Sequence, residues 1–176
     1  MSSDLSLYDM TVPLFTKRLQ QMSHHLEMGE QWCRDNDKPT STLVEARIHE
    51  DMKPLAFQVQ TCYRVIIQLF SRLEIAETPK DTPEVETSME GLLRQIAEMH
   101  ALLGTATRAS FENMATRQVS FEPPGRDPWK FTSVSFVQGL LLPNFFFHSV
   151  TAYNILRQLG VPLGKFDYLG DPQAIP

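Results

Sequence analysis

Apolar residues recur three and four apart over four stretches of this chain, and each stretch is long enough to form a helix. In the first, Val12, Phe15, Leu19, Met22, Leu26, Gly29 and Cys33 make a seam of about three heptads, the spacing that lines one face of an α-helix. Thr11 or Ser6 can cap its start, and Pro13 is tolerated because it lies in the first turns. The helix is expected to end near Asn36. Gly29, within the seam, lets a neighbouring segment come close.

After Asp35-Asn36-Asp37-Lys38-Pro39, a short helical turn around Leu43 to Ala46 is expected before the second main helix. Asp51 is the expected N-cap of that helix, which puts Pro54 at the third helical position, and Leu55, Val59, Cys62, Ile66, Leu69 and Leu73 form its stripe. Thr82-Pro83-Glu84 announces the third helix, with Val85, Met89, Leu92, Ile96, Met99 and Leu103 facing inward. Between Phe111 and Thr132 the period shortens to two. Val119-Ser120-Phe121 and Trp129-Lys130-Phe131 alternate around Pro123-Pro124-Gly125-Arg126-Asp127, which predicts a β-hairpin within 117–132.

The fourth helix is expected from about Ser133 to Gln158, stopped by Gly160 with Pro162 behind it. Pro143 lies inside it and frees the carbonyl four residues back, at Gly139, so a distortion is expected one turn before His148. Val137, Leu141, His148, Ala152, Ile155 and Leu159 fall on one face, which turns the imidazole inward. An antiparallel four-helix bundle buries four such stripes most economically. The expected class is therefore all-α, one domain over 1–176, with a small hairpin before the last helix and a C-terminal strap over 161–176.

Composition narrows the function classes. A net charge of -5, with lysine and arginine scattered, leaves no electrostatic footprint for nucleic acid or an anionic membrane. No apolar run approaches the ~20 residues of a membrane span and no signal-peptide pattern opens the chain, so a cytoplasmic protein is expected. Cys33 and Cys62 lie on apolar faces without metal-type spacing and read as buried hydrophobes.

Five histidines carry the candidate chemistry. His24 and His25 are adjacent, so at most one faces the core, and with His100 they read as boundary residues. His49, two residues before Asp51, and His148, one turn after Asn144, are the candidates for a site at one end of the bundle. With Tyr153, and with Tyr8 and the tail Gly164 to Gly170 nearby, they suit proton transfer near neutral pH. Gln58, Phe147 and Tyr168 complete the expected substrate contacts. A metal clamp on one helix wants two ligands four apart, and here the partner of His148 is Asn144, a poor ligand beside imidazole. No cofactor is therefore favoured. The alternative is a divalent zinc or nickel ion held by His49 and His148.

Ser6-Leu7-Tyr8-Asp9, Asp51-Met52-Lys53-Pro54-Leu55 followed by Gln58-Val59-Gln60, the run Pro143 to His148, Thr151-Ala152-Tyr153 and the end Gly164 to Gly170 resemble, in that order, a domain-of-unknown-function family of the DinB/YfiT-like superfamily. The resemblance spans nearly the whole chain. It implies a four-helix bundle, often a homodimer, and in the wider superfamily a three-histidine metal site and thiol-dependent transferases or isomerases. By position, His49 approximates the helix-two ligand and His148 one helix-four ligand, while Asn144 stands where another histidine belongs.

The first functional expectation is a small-molecule enzyme without redox cofactor, of isomerase, lyase or cyclase type, using His148, Asp51, Tyr153 and His49. The alternatives are a metal-dependent transferase or isomerase of the DinB kind and a non-catalytic, dimeric ligand-binding protein. Trp32, Phe57 and Phe70, taken as outward apolar residues, motivate the homodimer.

Overall fold

The computed structural model describes residues 6–78 and 85–171. Its first helix, α1 (Leu7–Asp35), starts at Ser6 through a capping box: Ser6 Oγ accepts from the Asp9 N–H at 3.2 Å, and the Asp9 carboxylate accepts from the Ser6 N–H at 3.1 Å. Arg108 adds a 2.7 Å contact to the same carboxylate, and these bonds hold the Asp9 pKa down at about 2. Every residue of the expected seam is buried. At Gly29 a Cβ would stand 2.8 Å from Leu43 Cδ1, so the missing side chain makes room for the tip of that leucine of the short helix α2 (Ser41–Val44).

The second long helix, α3 (Leu55–Leu73), begins later than Asp51 predicts. Pro54 is the N-cap, in an extended conformation with ψ 173° that no residue within a helix can hold. Asp51 instead pairs with His49 in the preceding loop. The helix α4 (Met89–Gly104) is capped by Ser88, whose hydroxyl accepts from the Gly91 N–H at 3.0 Å. The start signal Thr82-Pro83-Glu84 lies outside the described residues. Val85, expected in the stripe, is exposed ahead of the helix.

The strands β1 (Gln118–Phe121) and β2 (Trp129–Thr132) form the hairpin, paired antiparallel from Gln118 opposite Thr132 to Phe121 opposite Trp129. A short helix α5 (Ser133–Phe136) leads through a π turn (Val137–Leu141) into α6 (Leu142–Leu159). In that turn the Leu142 N–H reaches back five residues to Val137. The distortion expected from Pro143 is this widening of the helix, placed where the proline cannot supply an N–H. Gly160, with φ 99°, closes α6 in the left-handed conformation, and α7 (Lys165–Leu169) folds back as the strap.

Contacts across the core set the helix directions. Phe15 meets Phe145 with ring centroids 4.5 Å apart and His25 meets Tyr153 at 5.3 Å, so α1 and α6 run the same way. Cys62 faces the Phe145 carbonyl and Gln58 faces His148, so α3 runs against α6. The Arg108 to Asp9 contact brings the chain just past α4 back to the start of α1, so α4 runs against α1. Two helices thus run each way in an all-α bundle, and the hairpin precedes the last helix. Phe70, expected to face outward, is fully buried in this core, whereas Phe57 is half-buried.

Candidate functional site

Along the last helical stretch Ser133, Val137, Leu141, Phe145 and Ser149 make a buried row four apart, with Phe136, Thr151, Ala152, Ile155 and Leu156 also buried. His148 is therefore one residue off the row. It is half-buried and turned toward α3, between Phe57 (6.1 Å, edge-on) and Phe147 (5.1 Å, edge-on). Phe147 itself is 56% exposed.

Gln58 decides the protonation of this imidazole. In the first turn of α3, its Nε2 donates to the Lys53 carbonyl, just outside the helix, at 2.8 Å. That bond turns Oε1 toward His148 Nδ1, 2.6 Å away. An amide oxygen only accepts, so Nδ1 carries the hydrogen and Nε2 keeps its lone pair. Burial pushes the His148 pKa down to about 4. This corrects the expected titration near neutral pH: at pH 7 the ring is neutral.

The other expected site residues divide among separate places. His49 and Asp51 hydrogen-bond to each other at 2.6 Å on an exposed loop, and no described hydrogen bond or ring contact joins them to His148. Asn144 is half-buried one turn before His148. Tyr153 packs with His25 and, at 5.7 Å, with Tyr168 of the strap, so the tail and Tyr153 do meet. Tyr8 lies at the other end of α1, edge-on to Phe111 and beneath Arg108. The single pocket expected to gather all of them is not formed, since Tyr8 lies at the start of α1 and Tyr153 packs on His25 much further along it.

The residues missed by sequence are Lys17, Arg18 and His25, all buried. His25 is 3% exposed, its Nε2 has no hydrogen-bond partner among the described residues, and burial holds its pKa down to about 4 against the opposing pull of Asp167. Arg18 lies under the Tyr168 ring, 4.7 Å from its centroid, and donates to the carbonyls of Tyr168 and Leu169. Asp167 binds the Gly164 N–H at 2.7 Å and His24 at 3.0 Å, and these bonds hold its carboxyl below the usual range. A signal existed: Thr11, Arg18, His25 and Trp32 are seven apart, a line running beside the Val12 seam.

With this geometry fixed, the chain can be set beside known proteins. The model of the family described as "Domain of unknown function (DUF1993)" matches residues 7–169. The chain belongs to the DUF1993 family. A DinB family member from Shewanella denitrificans, known from its crystal structure, is similar over 93% of this chain and 92% of that chain, with 32% identity and a TM-score of 0.80. None of the curated proteins matches. The DUF1993 bundle therefore has the DinB-like fold that the dispersed motifs imply.

The three-histidine metal site of the wider superfamily does not fit the residues present. His148 has one ring nitrogen committed to Gln58, the position one turn before it holds a neutral amide, and His49 sits on an exposed loop paired with Asp51. Among the described residues no group of three or more His, Cys, Asp or Glu is placed to hold an ion. Among them, too, no helix is long and apolar enough to cross a membrane.

Proposed function

We propose that this DUF1993 protein binds a small molecule beside His148 and, without a redox cofactor, moves a proton within it, as in an isomerisation, elimination or cyclisation. The observation that carries the reading is the chain Lys53 carbonyl, Gln58 amide, His148 Nδ1, which leaves Nε2 as a lone pair on a half-buried ring. A ring with a pKa of about 4 is always in its accepting form at neutral pH, and once protonated it returns the proton readily. The same low pKa favours a second reading, in which Nε2 only accepts a hydrogen bond from a ligand and no turnover follows.

Nitrogen-resolved NMR of His148 combined with a fragment screen tests this. At pH 7 the Nδ1–H tautomer is expected, with donor-bearing fragments shifting the Nε2 resonance. The His148→Asn protein is expected to keep its fold by circular dichroism and to lose those fragments. A resonance indifferent to every fragment, or an Nε2–H tautomer, overturns the proposal. Turnover whose rate is unchanged in His148→Asn would move the chemistry elsewhere.

The protein is further proposed to be a homodimer. Phe70 no longer supports this, but half-buried Trp32 and Phe57 remain at the outside of the bundle. Light scattering is expected at about twice the 20.1 kDa of one chain; a monomer's mass across a wide concentration range would count against it.

A further inference from the structure

We propose that the groove between α1, α6 and the strap α7 binds a small apolar carboxylic acid whose carboxylate is taken by Arg18. The site shares the Phe147 ring with the Gln58 and His148 pair but does not rest on their role. Leu14, Pro143, Phe146, Phe147 and Val150 wall a groove of about 570 Å³, and Tyr168 and Leu169 close one side. That is a volume in which small ligands are commonly held, mostly by apolar contacts with few polar anchors. Arg18 is the charged residue in the lining.

The electrostatics of that arginine are incomplete. Arg18 is only 8% exposed and its neighbour Lys17 only 7%. A buried cation is costly to fold unless an anion or strong hydrogen bonds compensate it. Among the described residues, Arg18 donates to the carbonyls of Tyr168 and Leu169, and Lys17 to the carbonyl of Asp171. Asp167, the carboxylate of α7, is itself engaged by His24 and the Gly164 N–H. Among the described residues, the Nε of Arg18 is buried without a hydrogen-bond partner.

A carboxylate supplies what is lacking. The Nε–H and the adjacent Nη–H form the edge of the guanidinium that binds a carboxylate through two parallel hydrogen bonds, stronger than bonds to neutral carbonyls. To reach that edge the ligand takes the place of the strap carbonyls. The strap can give way, because none of its residues is buried and Phe166 is 80% exposed. The ligand's apolar body then lies along Phe146, Phe147 and Val150, replacing the cover that Tyr168 now gives. Charge complementarity selects the acid; the apolar wall excludes small hydrophilic anions.

Calorimetric titration of the full chain with 2-naphthoate tests the assignment, with 2-naphthalenemethanol as the uncharged analogue. One naphthoate per chain is expected, with the alcohol at least about tenfold weaker, as loss of a charge-assisted pair implies. Arg18→Met is expected to weaken naphthoate by at least about tenfold. Because Arg18 is buried and its replacement can unsettle the fold, Val150→Glu serves as the second variant. Val150 is at the surface, so the fold survives while a carboxylate is set in the groove, and naphthoate binding is expected to fall by a similar factor. Equal binding of acid and alcohol overturns the proposal, as does Val150→Glu with unchanged affinity. A wild-type mass of two chains that Val150→Glu reduces to one, without naphthoate binding, would give the groove to a second copy instead. Naphthoate affinity is read independently of any turnover, so its loss and a failure at His148 remain distinct.

Discussion

Between pH 6.5 and 4 the folded protein is expected to lose on the order of 3 kcal/mol through His25 alone. Unfolded, this imidazole has an ordinary pKa of 6.5; folded, burial lowers it to about 4. Above 6.5 both states are neutral and the residue contributes nothing to the pH dependence. As pH falls below 6.5 the unfolded chain takes a proton that the folded chain refuses, so stability declines until pH 4, where the folded state is protonated too and the loss is complete. The nearby charges do not change the sign: Arg18 and His24 add to the lowering and Asp167 opposes it. His148 acts in the same direction over the same window, with a smaller effect because it is less buried. Denaturant unfolding at pH 7.5, 6 and 5 checks this, and His25→Phe is expected to flatten the dependence. A midpoint that does not move between pH 7.5 and 5 would mean that His25 is hydrated.

Phe145→Ala is expected to be the most damaging single truncation on α6, at about 3–5 kcal/mol. The ring is fully buried, 4.5 Å from Phe15 across to α1, and its carbonyl lies beneath Cys62 of α3, so three helices meet on it. Such a loss is a large part of the 5–15 kcal/mol that holds a typical domain together, and it corresponds to a fall of roughly 6–20 °C in Tm. Phe147→Ala, two residues on but 56% exposed, is expected to cost no more than about 0.5 kcal/mol. Thermal unfolding of the pair tests which phenylalanine carries the core. Equal effects would mean that the buried row is misplaced.

The helices were legible because their stripes are unbroken: every seam residue from Val12 to Cys33, and from Leu55 to Leu73, is buried as its spacing predicts. The hairpin was legible because alternation around a Pro-Pro-Gly turn has few other readings. The site was less so. Asp51 looked like a cap because aspartate before a helix usually is one, but the extended backbone at Pro54 starts the helix three residues later and leaves Asp51 to His49. His148 looked inward because seven residues separate it from Leu141, whereas the chain counts in fours there and buries Phe145 and Ser149. Lys17 and Arg18 were not singled out because their partners are main-chain carbonyls about 150 residues away; the line of residues seven apart could turn Arg18 inward but not say what it meets. The depressed pKa of His25 follows from the same cover.

The π turn at Val137–Leu141 has one more consequence, for how the chain tolerates change in length. A row of buried residues four apart drifts off a straight α-helix, which turns once in 3.6 residues, and a wider turn brings it back into line. The turn therefore absorbs one residue locally. Forced onto the α period, that residue would rotate everything before it, from the hairpin to Phe136, by about 100° around the helix axis. Removing the exposed Gly139 instead leaves both flanks facing as they do now. The seat of the hairpin and the place of the imidazole on α6 are thus uncoupled for the loss of one residue between them.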